Sequence, residues 1–195
     1  FSIENEPVVE LVNNREREYI FADLPDIGYS TDIDTVMASS YQVKKQLQQI
    51  VKIEQPITNT LLYKRILRIW NLTRVTTRLQ VFIDNLLEDA YKDPLSGDTI
   101  IYWEDEEKAK DCDFYRINSK RDILDIPILE VMSAARYAIE QQISMPTEDL
   151  KRLTSQLLGF SRKGNNLDMV TEQTIQLLID QGIFSHANGM VSMNN

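Results

Sequence analysis

Apolar residues recur along this chain with helical spacing, and the recurrence itself repeats. Val43, Leu47, Ile50 and Val51 stand at i, i+4, i+7 and i+8, one face of a helix. Gln55-Pro56-Ile57 breaks that helix, because proline lacks an N–H and its ring clashes in a helix interior. Thr58 or Asn59 then caps a second helix, whose buried stripe is Leu62, Ile66, Ile69 and Trp70. Asn71-Leu72 makes a turn, Asn being one of the few residues that tolerate a left-handed backbone. Thr73 is placed to cap a third helix with the inner face Leu79, Phe82, Ile83, Leu86 and Ala90. Pro94 to Asp98 is turn chemistry and Thr99 to Trp103 is rich in strand formers, which predicts a ribbon.

The pattern then starts again. Pro127 opens a helix with the face Val131, Ala134, Ala135, Ala138 and Ile139. Met145-Pro146 breaks it, Thr147 is expected to cap, and Glu148 and Asp149 sit in the first turn where the helix dipole favours anions. Leu150, Leu153, Leu157 and Leu158 form the next stripe, and Gly159 takes the place of Asn71, as a left-handed position requires. Leu167, Val170, Thr174, Leu177 and Leu178 line the last helix, which Gly182 ends. Two short strands, 183–187 and 190–193, flank Asn188-Gly189, the strongest short hairpin signal.

Residues 50–79 and 138–167 thus follow one pattern at an offset of 88, with Leu62 on Leu150, Ile69 on Leu157, Arg74 on Arg162 and Leu79 on Leu167. Helix, short extended stretch, helix, turn, helix and ribbon is the order of a winged helix. The expected fold is mainly α with short β-hairpins, as tandem winged-helix repeats at 41–103 and 126–195. Residues 104–125 are expected to form a charged connector. Residues 1–40 are expected to be an acidic linker or docking segment, irregular or packed along a repeat. Within it, Val8 to Val12 reads as the start of a strand or helix.

The net charge of −9 argues against nucleic acid until it is divided. Residues 1–40 carry two Arg against nine Asp/Glu, and 41–103 carry nine Lys/Arg against six acids. The connector has five cations against eight acids, and the second repeat five against seven. The basic segment is therefore a helix-turn-helix with acidic flanks. Lys64, Arg65 and Arg68 lie off the apolar stripe of its second helix, and Arg74 and Arg78 stand at the start of its third. In a winged helix the third helix normally enters the major groove, and helix starts also cradle phosphate. These five cations are candidates for DNA or RNA contact, with Arg162 and Lys163 in the same place in the second repeat. The competing reading is a solvated charged face with i,i+4 pairing. Asp84, Glu88 and Asp89 follow Arg78 and weigh against deep groove insertion. The acidic second repeat is expected to act mainly as a brace for the first.

No run approaches the ~20 apolar residues of a membrane span. A single cysteine, Cys112, excludes an internal disulfide framework and suits a reducing cytoplasm. With no Cys or His partner it offers neither a zinc site nor a nucleophile–base pair. His186, the single histidine, sits beside the hairpin turn, where inert surface placement is expected. Glu104 to Glu107 lacks the spaced ligands of a calcium loop. No metal or cofactor is expected. The chain begins Phe1-Ser2-Ile3 with no initiator Met, and is expected to be a piece of something longer.

The stretches VKIEQPITNTLLYKRILRIWNLTRVTTRL, IIYW, FYRINSKRDILDIPILEV and LLGFSRKGNNL resemble a bacterial domain of unknown function. That domain closes very large superfamily 1 DNA/RNA helicase proteins, after a helicase core and a restriction-endonuclease-like domain. The resemblance covers about 41–193. It implies a parent of helicase and nuclease type as the natural partner, and it supplies no site residue. The chain contains no G-x-x-x-x-G-K-S/T phosphate loop, so it is expected to be a non-catalytic accessory module. Nucleic-acid contact and protein docking, to the parent's core or to another partner, are the two functions it leaves open.

Overall fold

The computed structural model describes residues 13–97, 99–117 and 119–194; the Val8 to Val12 expectation lies outside them. The elements in order are β1 (Glu16–Glu18), α1 (Ile33–Ala38), α2 (Ser40–Glu54), β2 (Ile57–Thr58), α3 (Asn59–Ile69), α4 (Thr77–Leu86), β3 (Tyr91–Lys92) and β4 (Ile101–Trp103). They continue with α5 (Glu106–Lys110), β5 (Tyr115–Ile117), α6 (Ile128–Glu140), β6 (Met145–Pro146), α7 (Thr147–Leu157), α8 (Asn165–Asp180), β7 (Phe184–Ala187) and β8 (Met190–Met193). The fold is helices with small sheets.

The 88-residue offset is carried by the backbone. It maps β2 and α3 onto β6 and α7 residue for residue, and the starts of α2 and α4 onto those of α6 and α8. Each set closes with a three-stranded antiparallel sheet, in the orders β2-β4-β3 and β6-β8-β7. The central strand meets the short strand at the proline break, Ile57 opposite Tyr102 in one sheet and Met145 opposite Val191 in the other.

Local chemistry accounts for the junctions. The Thr58 hydroxyl accepts from Leu61 N–H and caps α3. Asn71 (φ 47°) and Gly159 (φ 88°) end α3 and α7 in the left-handed region. Beyond them Leu72 N–H donates to Leu67 O and Phe160 N–H to Ser155 O, both at 2.9 Å, so the last carbonyls are satisfied in both copies. Asn188 and Gly189 are both at positive φ, as a tight two-residue hairpin turn needs. Two expected caps are corrected. The α4 cap is Thr76, which accepts from Leu79 N–H, so α4 starts at Thr77 and Arg74 lies in the turn before it. Thr147 is the first residue of α7, and its hydroxyl donates to Gly189 O at 3.4 Å instead of capping. The hairpin turn has drawn it away.

The first core gathers Val43, Leu47, Ile50, Leu62, Ile66, Leu79 and Ile83. Tyr19, Ala22 and Val36 of the preceding acidic stretch are buried in it too, so that stretch packs along the first repeat and contains β1 and α1. Trp70 and Trp103 are buried, and their indole N–H groups donate to Gln46 and Asp93. Behind the second repeat lie two clusters, one around Ile139, Leu150, Leu178 and Phe184, the other around Tyr115, Val131, Ala134 and Leu158. Ile101, Trp103 and Phe114 form a smaller cluster against Ile128 and Leu129, which joins the first sheet to α6.

The connector is more than a charged link. β5 pairs in parallel with β1, and its Arg116 is buried with Arg121 against Glu130 of α6, a carboxylate with no exposed surface. Arg121 grips Glu130 with two bonds, 2.7 and 2.9 Å, and Arg116 binds it through backbone N–H and guanidinium. Burial alone would raise the Glu130 pKa, but the two guanidinium groups hold it below the usual carboxylate range. A carboxyl with a depressed folded pKa stabilises fully above its unfolded value, ~4.3, and loses that contribution as pH falls through the lower folded value. Glu130→Ala would leave two buried cations uncompensated, and should cost about 3–5 kcal/mol in chemical denaturation. Glu130→Gln should flatten the acid limb of the stability–pH curve. A loss below about 1 kcal/mol for Glu130→Ala would show the network to be incidental.

Candidate nucleic-acid interface

The seven sequence-selected cations fall into two groups. Arg65 faces inward on α3: it pairs with the fully buried Glu54 at 2.9 Å, donates to Ala22 O and lies over the Phe21 ring. Glu54 also accepts from Tyr19 Oη at 2.5 Å and from Ala22 N–H at 3.0 Å. Lys64 reaches across to the connector, where its ammonium meets both oxygens of the buried Asp125, at 2.7 and 2.6 Å. Thr60 adds a bond to the same carboxylate. Arg65 and Lys64 therefore hold the protein together. Arg78, in the first turn of α4, pairs with Asp34 at 2.7 Å, both side chains more than half exposed. Such a pair exchanges readily with solvent and salt.

Four of the seven, among the described residues, have no ion-pair partner: Arg68, Arg74, Arg162 and Lys163, all exposed. Arg68 lies in the last turn of α3 and Arg74 in the turn that follows, with Arg162 and Lys163 in the matching turn of the second repeat. Arg74 and Arg162 are equivalent positions, each three residues beyond the left-handed residue that ends the preceding helix.

The third helices present other chemistry. On α4 the exposed residues are Thr77, Arg78, Val81 and Asn85; α8 contains no Lys or Arg and exposes Asp168, Met169, Glu172 and Gln173 among others. Val81 and Met169, again 88 apart, are 54% and 45% exposed. The described parts of the ribbons carry one cation, Lys92.

Lys151 of α7 escaped the sequence reading. Its side chain is buried, with Asp168 at 2.8 Å, Glu172 at 2.9 Å and Glu148 at 3.3 Å. Burial would lower its pKa, but the three carboxylates reverse the effect and hold it above the usual lysine value. Glu54 and Glu130 escaped as well, although both carried a signal. Each is a carboxylate on an apolar helical stripe, Glu54 seven residues after Leu47 and Glu130 four before Ala134.

Other expectations can be placed. Burial pushes the Cys112 thiol up to about 12, which keeps it protonated and inert at neutral pH. His186 is exposed on β7. Glu104 and Glu106 pair with Lys108 and Lys110 along α5. Among the described residues no group of three or more His, Cys, Asp or Glu is placed to hold a metal ion. No helix among them is long and apolar enough to cross a membrane.

Comparison with family models gives one match, over residues 38–81, to a family described as "Protein of unknown function (DUF3320)". The matched segment runs from the end of α1 through α2, β2, α3 and the turn into α4. No curated protein and no solved structure matches the chain.

The two classes of cation should separate on substitution. Arg65→Ala leaves Glu54 buried without its cation and should cost about 3 kcal/mol by urea denaturation. Arg78→Ala and Arg74→Ala should leave the unfolding midpoint nearly unchanged. Equal losses would show that Arg65 is a surface cation like the others.

Proposed function

We propose that the two repeats are winged helices, and that the chain is a non-catalytic accessory module contacting the phosphate backbone of DNA or RNA. It would serve a helicase- and nuclease-type protein, the parent implied by the resemblance, whose catalysis resides elsewhere. The element order, the three-stranded sheet of each repeat and the match over 38–81 support the architecture. One observation carries the function: Arg74 and Arg162, repeat-equivalent, exposed and without an ion pair among the described residues, stand at the same point of both helix-turn-helix corners. Free guanidinium groups on a rigid corner suit backbone contact without base reading. The outer face of α4, with Arg78 as its one exposed cation, and the acidic outer face of α8 speak against insertion into the major groove. They also favour a second reading, docking to a protein surface, with Val81 and Met169 as the apolar centres of two equivalent helix faces.

Salt dependence tests the leading reading. Binding of a labelled oligonucleotide should weaken with a log–log slope of about −3 to −4, if each of the four free cations neutralises one phosphate. Arg74→Ala with Arg162→Ala should reduce that slope by about 2 and leave the fold intact. No binding at low salt would end the nucleic-acid reading and leave docking.

A further inference from the structure

Because the repeats share one plan, positions 88 residues apart report how each has been specialised. Around the groove between its second and third helices the first repeat places Tyr63, Leu72, Val75 and Ile83, all part of its hydrophobic core. The second repeat has Lys151, Phe160, Lys163 and Thr171 at those positions. At three of the four positions core filling has given way to polar groups, the fourth keeps a ring, and a cleft of about 190 Å³ lies between α7 and α8. Exchanging packed core for polar wall costs stability, so the polar wall needs a use of its own.

The cleft is lined by four cations, Lys151, Arg152, Arg162 and Lys163, against two carboxylates, Glu148 and Asp168. Lys151 already engages both carboxylates, and Arg152 pairs with Asp149 at 3.1 Å. Arg162 and Lys163 remain for a ligand. Beside them stands Phe160, half-buried, packed from behind by the core that contains Leu158 and Leu167 and bordering the cleft in front. A ring held on one side, with free cations next to it, pairs a stacking surface with a phosphate grip. The cleft is smaller than the ~300 Å³ at which drug-sized sites begin, which suits one ring system. A base within a duplex is stacked on both faces and cannot enter. A base of a single strand can.

We infer that the α7–α8 cleft takes one unstacked base of a single-stranded nucleic acid on Phe160, with the adjoining phosphate on Arg162 and Lys163. This rests on the nucleic-acid reading and adds a strand preference to it. It also gives the second repeat a binding role beyond bracing the first.

Fluorescence anisotropy of the full chain, with a labelled oligothymidine and a labelled hairpin duplex at low salt, tests it. The single strand should bind the tighter. Phe160→Leu installs the side chain that the first repeat uses at this point, and should weaken single-strand binding about 5- to 150-fold, with little change for duplex. Phe160→Tyr keeps the ring and should keep the affinity. Arg162→Glu with Lys163→Glu should remove the single-strand preference, and thermal melting should stay near wild type because neither side chain has a partner to lose. Equal loss in the Leu and Tyr variants, an unchanged affinity in the Leu variant, or tighter duplex binding would overturn the cleft while leaving backbone contact standing. If the wild-type chain binds neither probe, the nucleic-acid reading itself fails.

Discussion

Glu130 is a carboxylate with no exposed surface, and the way its charge is balanced organises the molecule around it. An isolated buried charge costs several kcal/mol, so a folded state that contains one must supply partners in good geometry. Here the partners are Arg116 and Arg121, and the chain of contacts continues beyond them. Tyr19 lies under both guanidinium groups, 4.7 and 4.1 Å from ring centroid to carbon, and its hydroxyl reaches Glu54. Glu54 in turn holds Arg65. Arg116 also donates to the carbonyls of Glu54, Gln55 and Pro56, the segment that ends α2. One polar chain thus passes from α6 through the connector and the N-terminal stretch to α2 and α3. Arg65–Glu54 closes within the first repeat and Arg121–Glu130 between the connector and α6, while Arg116 and Tyr19 bridge the two pairs, so the two repeats are coupled even though each has its own apolar core.

That coupling explains why an acidic chain can keep free cations. Glu54, Asp125 and Glu130 are committed inward, each against Arg or Lys, and Asp168 and Glu172 are tied to Lys151. What remains at the ends of α3 and α7 and in the turns that follow is a small set of guanidinium and ammonium groups with no ion pair among the described residues. Local field rather than net charge governs contact with phosphate over a Debye length of about 10 Å. The −9 total therefore describes the molecule's colloidal behaviour better than its corners.

The two halves share a backbone plan and differ in the contacts of their side chains. Features that depend on backbone conformation recur in both halves: the break before α3 and α7, the left-handed residue after them, the sheet order. Features that depend on which side chains meet do not. Tyr63 in the first repeat donates to Asp84, whose other phenolic neighbour is Tyr102, a closed and inward arrangement. Its counterpart Lys151 collects three carboxylates at the edge of a cleft. The same scaffold position serves packing in one copy and charge in the other.

The line between what could be read from the chain and what could not follows the range of the interactions. Proline breaks, left-handed Asn71 and Gly159, the Asn188-Gly189 hairpin and the apolar stripes are local: each depends on residues within about one helical turn, and sequence determined them. Thr73 against Thr76 marks the limit of that logic, because either threonine is a chemically suitable cap and the hydroxyl that accepts from the helix is that of Thr76. The two-residue strands β2 and β6 are too short to carry a signal, and exist because a hairpin strand 43 to 46 residues away pairs with them. Type and spacing mark Arg68, Arg74, Arg162 and Lys163 as candidate cations, but do not separate them from the paired Lys64, Arg65 and Arg78. The separating fact is a carboxylate 61 residues away for Lys64, and one in another helix for Arg65. Sequence determined where charges could stand. Tertiary structure decided which of them were already spent on one another, since pairing depends on distance in space and an isolated segment contains no record of it.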